Sequence, residues 1–284
     1  GAGSGSRNMA TDEALLSSVS SAASLTTLRF YQWQPAAVSL GYNQKADEEL
    51  DADACRQAGV DVVGRISGGR AVLHWDELTY SICFADDDAI LGGLASRSHE
   101  LIARSLAAGL VAFGVQAVVL PGGGRHKDAG SVNGAARRLR EACFSSTCRH
   151  EVTCGGRKLV GSARRQIRNA VIQHGSVLMG AGHLLLPRLQ RYATDQQRRR
   201  AEAQLVARST HLAEWCTHPV DVEELMSCLV SGFRRTLQVE LIESTLSPAE
   251  QAALDHPENS DKLGSCAAVA DCSRLVGKDP VPIG

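Results

Sequence analysis

Short β-branched runs and amphipathic helical stripes follow one another irregularly along this chain, and that order most limits what it can fold into. Residues 28–33, 37–40, 60–63, 72–74, 78–84, 116–120 and 170–179 read as strands, the last interrupted by His174-Gly175. Leu94, Leu101, Ile102, Leu106, Leu110 and Phe113 mark the buried stripe of a long helix that Gly114 ends, and 45–58 reads as a helix stopped by Gly59. Gly155-Gly156, between the runs 151–154 and 158–161, predicts a tight hairpin, because paired glycines supply the positive φ such turns need. The order is neither a regular βαβ alternation nor an all-β series. The expected class is therefore α+β, with a mixed or antiparallel sheet core and helices around it.

The ends carry different signals. Residues 1–7 are Gly/Ser-rich and are expected to form a flexible lead without fold, after which Asn8 caps a helix with Asp12 and Glu13 in its first turn and Met9, Leu15, Leu16 and Val19 on one face. From about residue 194 the pattern turns helical, with charged 195–208 and amphipathic 222–237. Ser247, Pro248 and Glu250 then spell a capping box. Past residue 257 no period survives, so 8–256 is expected as one catalytic domain and 257–284 as a loosely held tail.

Charge and composition exclude several classes. Thirty basic against thirty-one acidic side chains give a net charge of −1, so no global field marks a nucleic-acid or membrane partner. No apolar run reaches the ~18 residues of a bilayer span and no secretory signal is evident, so a cytoplasmic location is expected. The nine cysteines are an odd number spread over 284 residues, which reads as thiols rather than a secreted disulfide scaffold.

Four segments could carry chemistry. In Gly64-Arg65-Ile66-Ser67-Gly68-Gly69-Arg70-Ala71-Val72-Leu73-His74 a paired-glycine turn joins two strands, with Arg65, Arg70 and His74 around it. Such a loop suits a carbonyl, carboxylate or phosphate, or else is a hairpin with solvated arginines. Lys158, in Gly156-Arg157-Lys158-Leu159-Val160-Gly161-Ser162-Ala163, stands out because arginine supplies 25 of the 30 basic side chains; the alternative is an ordinary surface lysine. His174-Gly175, inside Gln173-His174-Gly175-Ser176, breaks an apolar run, as a site residue or as a satisfied core histidine.

Cys143-Phe144 follows the arginine-rich 137–140, where positive charge favours a thiolate. Cys143, Cys148, His150 and Cys154 also suggest a metal cluster, but C-x4-C-x-H-x3-C lacks the short knuckle of structural zinc sites, so no metal is expected. A buried, inert thiol is the remaining reading of Cys143.

Taken in order from residue 8 to about 178, these segments resemble the biotin/lipoate protein ligase superfamily, in particular its cysteine-dependent octanoyltransferases. Gly68-Gly69-Arg70-Ala71-Val72-Leu73-His74, Glu77-Leu78-Thr79-Tyr80-Ser81, Cys143-Phe144, the Lys158 segment and Gln173-His174-Gly175-Ser176 all occur in that family's order. The resemblance implies the ligase catalytic-domain fold, Cys143 as the acyl-accepting nucleophile and Lys158 over the acyl carbonyl. Arg65, Ser67, Gly68, Gly69, Arg70, His74, Gly161, Ser162, Ala163, His174 and Gly175 would bind substrate. Trp75, where the family has an acidic residue, and Arg164, where it has a glutamine, are departures that bear on acceptor docking.

The implied reaction moves an octanoyl group from acyl carrier protein to the lysine of a lipoyl domain, such as glycine cleavage H protein or a dehydrogenase E2 subunit. It needs no cofactor and no ATP, because ATP-dependent ligases of the family typically carry Asn-Asp in the region of Cys143. Three other readings stay open: transfer from H protein to E2, an ATP-dependent ligase with Cys143 incidental, and a non-catalytic acyl-carrier or metal-binding module. His174 is the candidate base for the acceptor amine.

Overall fold

The computed structural model describes residues 1–120 and 150–254, and the backbone of a strand at 272–277. Its strands are β1 (Ala2–Gly3), β2 (Thr27–Trp33), β3 (Ala37–Gly41), β4 (Asp61–Arg65), β5 (Val72–His74), β6 (Glu77–Ala85), β7 (Val118–Val119), β8 (Val152–Cys154), β9 (Arg157–Ile167), β10 (Ala170–Leu178), β11 (Val239–Ser244) and β12 (Cys272–Gly277). The helices are α1 (Gly5–Ser20), α2 (Ala46–Glu49), α3 (Ala52–Gln57), α4 (Ala95–Ala112), α5 (Leu186–Leu189), α6 (Asp195–Arg208), α7 (Val222–Leu237) and α8 (Pro248–Leu254).

A large sheet runs β11-β12-β2-β6-β10-β9-β8-β7, with β1 pairing β2, and a small sheet runs β4-β3-β5. Neighbours on the large path are antiparallel, whereas β1 lies parallel to β2 and β4 parallel to β3. The class is α+β with a mixed sheet, as expected.

Strand alternation gives the large sheet two faces of different character. On one, Leu28, Phe30, Leu78, Tyr80, Ile82, Phe84, Val160, Val171 and Val177 pack against Ile102, Leu106 and Leu110 of α4 and Leu225, Leu229 and Phe233 of α7. The two helices cross at Gly109 and Gly232, where a Cβ on Gly232 would stand 2.3 Å from the Ser105 carbonyl oxygen; only glycine permits that approach. On the other face, Cys83, Ala170 and Ile172 pack against Leu15, Leu16 and Val19 of α1. Further along this face the sheet turns polar, and there the site forms.

Several expectations change. The lead folds: Ala2–Gly3 pairs with Gln32 and Trp33, Ser4 caps α1 by accepting from the Arg7 amide, and Asn8 lies inside the helix donating to the Gly3 and Gln32 carbonyls. The helix expected over 45–58 is two short ones, because Leu50 bridges to Gln190 and Asp51 caps the second by accepting from the Asp53 and Ala54 amides. Leu94 sits at the N-cap of α4 and is 75% exposed rather than in its stripe. Within the expected tail, β12 pairs β11 with β2, and β11 itself carried no recognised signal. His174 and Gly175 do not interrupt their strand: β10 pairs continuously with β6 from Ala170 to Leu178. The Gly155-Gly156 hairpin forms, with φ of 56° and 74°, and the capping box closes between Ser247 and Glu250.

Candidate active site

The polar end of the α1-facing surface holds two linked hydrogen-bond networks. In the first, Asp12 from α1 binds Arg29 at 2.9 Å through Oδ1, accepts from the Tyr31 hydroxyl at 2.9 Å through Oδ2, and lies 3.4 Å from His174 Nδ1. His174 Nε2 bonds the Ser67 hydroxyl, so β10 is tied to the turn after β4. Burial pushes the Asp12 carboxyl up, but the His174 hydrogen bond, the charges of Arg29 and His174 and the Tyr31 hydroxyl outweigh it and hold it below its ordinary value. Burial and the facing Asp12 carboxylate drive the Tyr31 phenol well above its ordinary value.

The second network runs through His74. Its Nδ1 is 2.8 Å from Glu77 Oε1 and its Nε2 is 2.7 Å from Ser39 Oγ. Ser39 Oγ also accepts from Arg65 at 3.0 Å, and Glu77 Oε1 accepts from Thr79, whose oxygen accepts from the Trp33 indole. The carboxylate only accepts, so Nδ1 donates to it, and Nε2 shares a hydrogen bond with the Ser39 hydroxyl. The Trp33 ring stacks on His74 at 3.9 Å, fixing its plane.

Between the networks lies a cleft walled by Met9, Tyr31, Trp33, Ser39, Arg65, Val72, His74, Thr79, Gly161, Ser162, Ala163, His174, Gly175 and Ser176. The expected residues Arg65, His74, Gly161, Ser162, Ala163, His174 and Gly175 are thus together. Ser67 is one bond behind, on His174. Gly68, Gly69 and Arg70 do not line the cleft. Arg65 is not a solvated arginine: its guanidinium is buried and donates to the Ser39, Gly68 and Arg70 carbonyls, holding the glycine turn from inside. The cleft leaves about 30 Å³ of room for water-sized molecules, enough for one or two waters, so a fatty chain enters only as its walls part.

Lys158 is not a surface lysine either. It is 5% exposed and 2.5 Å from Glu151 Oε1, with the carboxylate equally buried and its Oε2 unpartnered among the described residues. Nearby, burial and then the charges of His150, Arg164 and Lys158 hold the His99 imidazole below its ordinary value. Cys143 and Cys148 lie outside the described residues, as does the arginine-rich 137–140. Of the other members of the suggested metal cluster, Cys154 is buried and burial pushes its thiol up, away from the thiolate a metal takes.

Residue-type reasoning missed Asp12, Arg29, Tyr31, Trp33, Ser39, Glu77, Glu151 and Ser176. Glu77 and Ser176 stand in segments that carry the family resemblance, and Asp12 had a signal of its own: three residues after Met9 and three before Leu15, it falls on the apolar stripe, where an acid needs a partner.

The chain is 32% identical over 247 residues to the octanoyltransferase LipM of Clostridioides difficile (strain 630), covering 87% of this chain and 88% of that one. It is 37% identical over 247 residues, with the same coverage, to the octanoyltransferase LipM of Symbiobacterium thermophilum. A solved archaeal lipoylation system, a bi-partite lipoate protein ligase and its E2 lipoyl domain from Thermoplasma acidophilum, has the same fold: the TM-score is 0.70 at 21% identity, covering 94% of this chain and 95% of that one. Residues 4–234 match the family model described as the lipoyl protein ligase A/B catalytic domain, and the chain belongs to that family.

Proposed function

We propose that this protein is an octanoyltransferase that carries the acyl group on Cys143 between an octanoyl carrier protein and a lipoyl-domain lysine. The observation that carries the reading is the convergence of His74, His174 and the Gly161 to Ala163 backbone on one narrow cleft in a chain of this family. The relatives named as octanoyltransferases support the choice of acyl group.

In the first half-reaction the Cys143 thiolate attacks the thioester carbonyl of the carrier's phosphopantetheine arm. A new C–S bond forms and the arm leaves as a thiolate that takes up a proton. One thioester replaces another, so no nucleotide is needed. The chain enters between Met9, Tyr31 and Val72 as these side chains part, and each methylene buried contributes about 0.8 kcal/mol. In the second half-reaction the acceptor amine attacks the acyl-cysteine carbonyl and a C–N bond forms. The Cys143 sulfur departs and takes a proton that the nitrogen gives up. The Lys158 ammonium, paired with Glu151, favours the Cys143 thiolate and the developing oxyanion.

The experiment is intact-mass measurement after mixing the protein with octanoyl carrier protein and no nucleotide. The expected result is a gain of one octanoyl group, mapped to Cys143 and discharged by a lipoyl domain. An unmodified protein that forms product only with ATP would replace this reading with a ligase. Intact activity in Cys143→Ala would remove the nucleophile.

A further inference from the structure

The backbone of Lys158 sits where the large sheet loses its regular pairing. The ladder between β9 and β10 ends at Val160 and Val177, two residues short of Lys158. On the other side Thr153 of β8 lies opposite Lys158, but the register slips between Val152 and Thr153. The segment that follows α6 takes the place β10 has left. Ser209 forms a parallel bridge to Lys158, and the Thr210 amide donates to the Lys158 carbonyl at 2.9 Å.

This segment is itself tied down along its length. Ser209 Oγ lies 2.9 Å from His183 Nε2 and donates to the Leu205 carbonyl at 2.7 Å. The Trp215 indole donates to the Thr210 hydroxyl at 2.8 Å, and the Ala213 amide donates to the Met179 carbonyl at 3.0 Å. His183, Ser209 and Thr210 are buried. Met179 and His183 belong to the stretch just after β10, the strand that walls the cleft with His174 and Gly175. One end of the segment thus holds Lys158 and the other is fastened to the frame of the cleft.

A lysine is a point charge on a flexible four-carbon stem, so its head acts from a fixed place only if both ends of the side chain are held. Glu151 holds the ammonium. We infer that residues 209–215 form a strap that holds the other end, with Ser209 and His183 as positioning residues that act through Lys158. The inference rests on the transferase reading, in which the ammonium serves Cys143, and adds what keeps that ammonium in place. A misplacement of about 1 Å is enough to cost on the order of a hundredfold in rate.

The test uses two variants away from the reacting groups. Ser209→Ala deletes the hydroxyl that meets His183, and His183→Phe keeps a ring of similar size without its nitrogens. In both, kcat for octanoyl transfer should fall by roughly tenfold with KM for the carrier protein unchanged, because neither buried residue meets the carrier. Alkylation of Cys143 by iodoacetamide at neutral pH, followed by mass mapping, should slow by roughly threefold or more, since a displaced ammonium favours the thiolate less. Lys158→Met should slow it too, and adding Ser209→Ala to Lys158→Met should slow neither rate further. His183→Gln, whose amide replaces a ring nitrogen facing Ser209, should recover most of the loss. Lower melting temperatures with Cys143 alkylated at the wild-type rate would make the strap a structural element alone and overturn the inference. If Lys158→Met slows alkylation while Ser209→Ala and His183→Phe do not, the inference fails by itself; if none of the three does, the role given to Lys158 falls with it. A wild-type protein that takes up no octanoyl group ends the transferase reading, and the alkylation rates still decide the strap.

Discussion

The Lys158 ammonium and the Glu151 carboxylate meet at 2.5 Å with each side chain only 5% exposed, and they flank the hairpin that turns at Gly155-Gly156. A pair so placed is poorly replaced by half of itself. Removing one partner leaves an uncompensated buried charge, at a cost of about 3–5 kcal/mol, whereas removing both together costs less than the sum. Lys158→Met and Glu151→Leu should therefore each lower the denaturation midpoint more than their additive share of the double variant. Octanoyl transfer by Lys158→Met should drop by more than roughly tenfold. Additive midpoints, or full activity in Lys158→Met, would show that the pair is neither structurally coupled nor part of the reaction.

His183 ties the segment after β10 to the C-terminal end of α6. Its Nε2 lies 2.9 Å from Ser209 Oγ, whose hydroxyl donates to the Leu205 carbonyl, and its Nδ1 faces the Gly180 carbonyl at 3.3 Å. Burial lowers its pKa from 6.5 to about 4, so the folded protein holds it neutral while the unfolded chain takes up a proton below pH 6.5. Acid therefore favours the unfolded chain. The imidazole's contribution is whole above pH 6.5 and is lost as pH falls toward about 4, to a total of roughly 3 kcal/mol at 1.36 kcal/mol per pKa unit. Thermal melts of the wild type should decline across that window more steeply than those of His183→Gln. Parallel declines would mean that the imidazole is already solvated in the fold.

Asp12 anchors α1 to the sheet. Asp12→Asn keeps the shape but leaves the Arg29 guanidinium, 3% exposed, beside a neutral amide, at a cost of about 3–5 kcal/mol. It also frees His174 from one of its two partners. Because the folded carboxyl sits below its ordinary 3.8, its stabilisation is present above that pH and is lost as acid brings the solution through the lower folded value. Acid unfolding of the wild type should therefore steepen below pH 3.8 in a way Asp12→Asn does not reproduce. Matching acid transitions would assign the anchor to another group.

What could be read from residue order alone was local. Helix α6 starts where Thr194 caps it and α7 where Asp221 does, because side-chain caps and 3.6-residue stripes are properties of neighbours in sequence. Strands β11 and β12 escaped because a six-residue strand is made by its partners, and those partners are β2 and one another. Residues 2–7 looked like a linker because Gly and Ser say nothing of a parallel partner thirty positions away. In the site, His174 stood out because it breaks an apolar run, Lys158 because lysine is scarce beside arginine, and His74 because it follows the paired-glycine turn. Glu77 and Ser39 did not, since an acid after a turn and a serine in a strand look solvated until folding brings both onto His74.

The narrowness of the cleft makes chain length a structural readout. Met9 leans into it from α1 and is buried against Tyr31, Trp33 and Ala37. Met9→Ala deletes the flexible wall at a cost of about 2–5 kcal/mol in stability and opens space that the protein cannot fully collapse. Each further methylene that fits gains about 0.8 kcal/mol, close to fourfold in binding, so donors longer than octanoyl should gain relative to octanoyl in the variant. Competition between octanoyl and decanoyl carrier protein, followed by the mass of the acyl-enzyme, measures that ratio directly. A preference identical to the wild type's would place the acyl chain somewhere other than between Met9 and Val72.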